Sequence, residues 1–535
     1  MNRRLLLLLT WCLAVLAIYP RALSQTQLCR VKISLIDNVT KQPVPGVIRV
    51  LFKGHQEGMP IKGLLERGQG VGSIALQQLG ALPPRRTIHD WYVLTGPTEV
   101  LLPRKPIRIE AFSGLETELV RLSTDLTMRS HTSIELPLKT FSQVTNKNWF
   151  AGNTHLHLFK LSRKNADRYL REIPRGDRLD ILFTSHLIRP SEDAHYISNR
   201  YSIGDLRQFW SSGVLVNHGE EHRHNLAPWA EGYGHVMLLN IKKVIEPVSI
   251  GPGITGAGND GTPLQQGINE AHRQGGTAIW CHNDLGLERV PTIVNGNVDA
   301  QNIFDGYSVE QYPQYESTFY HYLNAGFRVP FSTGTDWFLF DLSRVYAQVE
   351  GTLEIATWLE ALRKGRSFIT NGPLLHFFVE NQPIGGTVSL TAASPISVEG
   401  QALGRRNFGN LELVHNGNVI DKVSSQQEQQ HFRARIQKKI LIKEPGWMAL
   451  RVSSQTNTEY GLPIFAHTSA IYIEVEKKSI RQSNAVAYLK REIEAARHQV
   501  STKAIFGTVS ERKMILDIYD SSLLALANKG ESSTQ

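Results

Sequence analysis

His155 and His157 are separated by a single residue in the stretch NWFAGNTHLHLF, which runs from Asn148 to Phe159. Residues i and i+2 of a strand point to one face, so both imidazoles can converge on one ion without bending the backbone. Two neutral imidazoles suit Zn, Mn, Fe, Ni or Cu. The alternative for so short a pattern is an ordinary polar strand end. Further candidates follow in chain order. They are His186 in FTSHL, His218, Glu220, Glu221, His222 and His224 in VNHGEEHRHN, His235 in GYGHVMLLN, His282 in AIWCHND and Asp336 in FSTGTDWF. Ten of the nineteen histidines lie between positions 155 and 282, which favours a metal site over scattered surface residues. Each candidate stands near the end of a β-like run. A glutamate can bridge two ions with histidines on each side, and a late aspartate can complete one ion's shell.

The ordered set H-x-H, H, E, H, H, D resembles the PHP superfamily, named for polymerase and histidinol phosphatase. It is more closely similar to the CehA/McbA-type branch, whose named member hydrolyses carbaryl. The resemblance spans about 146 to 376. ALRKGRSFITNGPLL reinforces it, being similar to that branch's A-x-x-x-G-x-x-x-x-T-N-G-P segment. The resemblance implies a distorted β/α barrel carrying divalent ions. His155 and His157 match the family's first pair, and Glu221 matches the bridging acid, with Glu220 as the alternate. His235 and His282 match the ligands after it, and Asp336 matches the late aspartate. His186 matches the histidine of T-D-H, which the family associates with a third ion. Three departures bear on that set. Asn153 stands where Asp often precedes the first pair, Ser185 replaces the Asp of T-D-H, and Phe338 replaces the histidine of D-x-H. The expectation is therefore two ions, or one, rather than three, as Zn, Mn or Fe. The same departures leave open a domain that has lost catalysis.

His218, His222 and His224 share one face of an extended segment. They are candidates to protonate a leaving group or bind substrate; the alternative is solvated imidazoles on a polar loop. Arg223, Arg189 and Lys160 could hold an anion. Trp280 and Trp337 flank proposed ligands, where wall packing is the simpler role. GPGITGAGNDG at 251–261 has no Walker lysine, so a mobile loop is expected there rather than a phosphate cradle.

Three kinds of element must position these residues. The 535-residue chain is too long for one ordinary core. Residues 25–145 alternate apolar and polar side chains between turns, as in CRVKISLID and GVIRVLFKG, with hairpin-turn chemistry in NVTKQPVPG between them. This pattern predicts a β-sandwich, with a weak resemblance to regulatory-like sandwiches fused to secreted hydrolases. Residues 146–376 alternate short strands with helices, predicting an α/β domain with a parallel sheet or barrel. Residues 377–478 read as a second sandwich, and 479–535 as a helical tail. The fold class is thus multidomain α/β plus all-β: a central PHP-like barrel flanked by two β-sandwiches.

Arg3 and Arg4, an apolar run and ALS at 22–24 describe a signal peptide over 1–24. The expected location is therefore the periplasm or the extracellular space, with no membrane span after cleavage. Of the +9 net charge three positive charges lie in that segment, leaving about +6 spread along the chain. So mild an excess gives no reason to expect nucleic acid. Cys29 and Cys281 would remain, and the sequence leaves a bridge between them open. The expected activity is a metal-dependent hydrolase acting on an ester, carbamate, amide or phosphoester bond in a small molecule or polymer. A surface- or glycan-binding protein is the alternative. Asn38 begins a glycosylation sequon.

Overall fold

The computed structural model describes residues 27–71, 87–142, 148–188, 196–226, 232–255, 258–282, 285–303, 305, 315 and 318–529. The signal-peptide expectation over 1–24, and Arg189, lie outside the described residues. The molecule is mixed α/β, with many strands in several sheets and few helices. No described helix is long and apolar enough to cross a membrane.

The N-terminal strands form two sheets. Leu28–Asp37 lies between Thr98–Pro103 and His131–Leu138. Gly46–Phe52 lies between Tyr92–Leu94 and Pro106–Phe112 in the second sheet. Alternation explains the packing: Cys29, Val31, Ile33 and Leu35 are buried while Arg30 and Lys32 face out. The turn expected at NVTKQPVPG closes only a short antiparallel bridge, Ile36 to Pro43, and the two strands it joins belong to different sheets. Asp37 accepts from Val39 and Thr40 to start a turn, and the chain then crosses to the other sheet. Pro43 and Pro45 have no N–H with which to continue a ladder. Cys29 and Cys281 are both free and buried, so they are not bridged.

The central sheet starts at Trp149–His157. Helix Arg163–Gly176 leads to the parallel strand Ile181–His186, which pairs with the parallel strand Leu215–His224. Gly234–Leu239 then runs antiparallel to its neighbour, within the region where a parallel sheet or barrel is expected. Only nine residues separate His224 from Gly234, too few for a crossover helix. Thr277–Trp280, Ala300–Asn302 and Phe331–Ser332 follow. Asp336–Trp337 and Arg344–Gln348 return to pair with Trp149–His157, so the sheet closes on itself. Helix Leu264–Arg273 ends where Gly275 adopts φ +82°, as the doubled glycine suggested.

The 376/377 boundary is crossed by a continuous sheet. Ser367–Thr370 pairs with Ala466–Thr468, which pairs with Gly446–Ser453. The C-terminal strands therefore extend the central sheet, and Leu374–Val379, Ser394–Gly404 and His431–Ile442 form a separate layer. Helices Ser483–Lys503 and Val509–Asn528 bury Leu489, Ile493 and Ile515 in one cluster with Leu264, Ile268 and Trp280. At the other end, buried Arg67 ion-pairs with Asp177 and donates to the Leu339 and Asp341 carbonyls. That contact ties the N-terminal domain to the segment following Asp336.

Candidate metal centre

His155 and His157 sit side by side on strand Trp149–His157, fully buried. The Nδ1 of His157 lies 3.1 Å from the Ser185 carbonyl, which can only accept, so Nδ1 carries the proton. The Nδ1 of His155 donates to Asp305 Oδ2 at 2.9 Å. In the neutral rings both Nε2 atoms are therefore bare lone pairs, and they face each other at 3.1 Å. Glu221 Oε2 stands 2.9 Å from His157 Nε2, and Asp336 Oδ1 stands 3.3 Å from His155 Nε2. Four acceptors converge where a shared cation would relieve their repulsion. Burial opposes charge on His155, but Asp336 draws its pKa well above the usual value. A bound ion would take that proton's place.

The other oxygen of Glu221 faces a second group. Oε1 lies 2.9 Å from His235 Nδ1 and 3.4 Å from His282 Nε2. His235 Nε2 is 3.4 Å from Asn225 Oδ1 and donates to it, leaving Nδ1 as a lone pair. That Nδ1, like Asp336 Oδ1, is buried without a hydrogen-bond partner. Burial, then the charge of Arg223, push His235 down to about 3, so the ring is neutral. Burial alone would raise Glu221, yet Arg223 and the surrounding imidazoles hold it well below the carboxylate range. His155, His157, Glu221 and Asp336 thus form one buried group that could hold an ion. Glu221, His235 and His282 form another, and in each group the ligand atoms lie within 4.8 Å of one another. A set of imidazoles and carboxylates fits Zn, Mn or Fe.

The backbone is unusual at this centre. His282 has φ 55° and Asp336 φ 57°, left-handed values that side chains rarely adopt. Gly334 must be glycine, because an added Cβ would come within 2.4 Å of the His155 Cβ.

Several expected residues lie elsewhere. Strand Leu215–His224 alternates, so Glu221 and Arg223 share one face while His218, Glu220, His222 and His224 take the other. The three candidate catalytic histidines are thereby turned away from Glu221. His218 Nε2 contacts the Tyr201 carbonyl at 3.2 Å, His222 Nδ1 contacts Glu220 at 2.8 Å, and His224 Nε2 lies 3.0 Å from Asp260. Glu220 also accepts from Ile245, so Glu221 is the acid at the centre. His186 joins neither group; its Nε2 lies 3.3 Å from the Tyr201 carbonyl and its ring 5.6 Å from that of His218. Lys160 is exposed and lies over Phe159. Arg223 lies 3.8 Å from Glu221. Phe338 is buried against Tyr169, and Trp280 donates to the Leu285 carbonyl as part of the wall. Asp260 is pinned to the tail through Ile505, so the described end of the 251–261 segment is anchored.

Sequence reasoning missed Asp305, which is fully buried and contacts both His155 and His282. Its signal was faint: one acid three residues past the short run ending at Asn302. The Cys281 thiol also approaches His155 and Asp305. Burial pushes it up to about 11, so it remains a neutral thiol. No protein-family model matches the chain, and neither curated proteins nor solved structures supply a match.

Proposed function

We propose that this chain is an exported metal-dependent hydrolase with a PHP-like barrel of the CehA/McbA type. The observation that carries this reading is the pair of imidazole lone pairs held face to face at 3.1 Å beside two carboxylates. His155, His157 and Asp336 would hold one ion, His235 and His282 the other, with Glu221 shared between them. Bound ions supply Lewis acidity and make water a stronger acid near neutral pH, so no serine or cysteine nucleophile is needed. The chain's own part is orientation. The Ser185 carbonyl and Asp305 fix which nitrogen of each imidazole carries the proton, and Arg223 adds positive charge beside Glu221. Burial of His155 and His157 keeps bulk water from these two rings.

The substrate is an ester, carbamate, amide or phosphoester. Elemental analysis of purified protein should find Zn, Mn or Fe. A chromogenic phosphodiester and carboxylester panel should then show turnover that chelator abolishes and added ion restores. Bound metal with no turnover across the panel would favour the second reading, a non-catalytic binding protein. Two observations favour that reading: Phe338 in place of the family histidine, and a cleft of about 830 Å³ between the N-terminal sheets and the C-terminal strands. Arg121, Lys139, Arg406, Gln427 and Gln430 line this polar cleft.

A further inference from the structure

Asp305 contacts one member of each candidate ion group. Its Oδ2 accepts from His155 Nδ1 at 2.9 Å. Its Oδ1 accepts from the His282 backbone N–H at 2.8 Å and lies 3.4 Å from His282 Nδ1, a nitrogen that the Asp305 main-chain carbonyl also meets at 3.3 Å. The ring nitrogens turned toward Asp305 are the ones opposite the Nε2 atoms that face Glu221. Asn302 Nδ2 donates to Asp305 Oδ2 at 3.0 Å, and Thr154 Oγ1 donates to Asn302 Oδ1 at 3.1 Å. Thr154 belongs to the same strand as His155 and His157, so the carboxylate is braced from the strand it serves. A carboxylate on the outer nitrogen of a metal-binding histidine fixes its tautomer and raises its basicity, and losing it costs about 10–100-fold in affinity.

We propose that Asp305 is a positioning residue for both ions at once, so that losing its carboxylate weakens the two together. This rests on the metal reading given above. The geometry separates it from an ordinary ligand: His235 touches only the Oε1 side of Glu221, whereas Asp305 reaches His155 on one side and His282 on the other.

The test uses the full chain, stripped with chelator and titrated with Zn²⁺ or Mn²⁺ alone, reading bound ions and the midpoint of each binding step. Wild type should take up about two ions. His235→Ala should lose one. Asp305→Asn should retain the wild-type circular dichroism and weaken both steps by about 10–100-fold. Asn302→Ala, which removes only the brace, should weaken both steps less, and it carries the test if Asp305→Asn does not fold. Unchanged midpoints, or weakening of one step alone, would overturn the proposal. Loss of both ions from His235→Ala would overturn it too, because any lesion would then empty the pair. A wild-type chain that takes up no ion would instead overturn the metal reading itself.

Discussion

Glu220 and Glu221 are neighbours in the chain with opposite surroundings, because successive side chains of a strand point to opposite faces. Glu221 meets four imidazoles, whereas Glu220 accepts from the Ile245 amide and contacts His222. Glu221→Gln should therefore strip bound metal, read by elemental analysis. Glu220→Gln should keep it while costing about 1–3 kcal/mol in urea unfolding, the range for a disturbed buried hydrogen bond. Equal metal loss in both variants would contradict this division. The doubled acid blurred the choice between them at the sequence level. The even-numbered positions of His218, His222 and His224 already set them on the face away from Glu221. Asp305 was not legible in this way, since only the fold brings it beside a histidine 150 positions away.

The Asp336 segment is held from outside by Arg67, whose guanidinium reaches Asp177 and the carbonyls of Leu339 and Asp341. Arg67→Met leaves the Asp177 carboxylate buried without its ion-pair partner and should cost about 3–5 kcal/mol, measured by denaturant unfolding. An unchanged unfolding midpoint would remove Arg67 from the scaffold. Glu288 supplies a pH prediction away from the ion groups. Burial pushes its pKa up to about 8, so the folded state holds the proton more tightly than the unfolded chain. Its contribution is complete below the ordinary carboxyl pKa and is lost as pH rises through about 8. Glu288→Gln should accordingly raise the melting temperature relative to wild type more at pH 9 than at pH 6. Helix Leu264–Arg273 and the alternating N-terminal strands were legible from period and turn residues. The antiparallel turn of Gly234–Leu239 was not, because strand direction depends on the length and path of the connection.

The whole molecule joins parts that the sequence divides. Composition and alternation separate a first sandwich, an α/β centre and a second sandwich. The pairing of Ser367–Thr370 with Ala466–Thr468 merges the last two, and no local pattern encodes a ladder between segments so far apart. The tail helices share a core with Leu264 and Trp280, so the C-terminus is part of the central unit. Ions bound only by the folded chain would stabilise this unit by about 2.7 kcal/mol for each site at a free concentration of about 100 times Kd. Chelator should then lower the melting temperature of wild type but not that of Glu221→Gln. The most direct test of the central claim is anomalous scattering from crystals grown with Zn²⁺ or Mn²⁺. The account predicts two peaks flanking the Glu221 carboxylate, one beside His155 and His157 and the other beside His235 and His282. A map with no peak at Glu221 would contradict it.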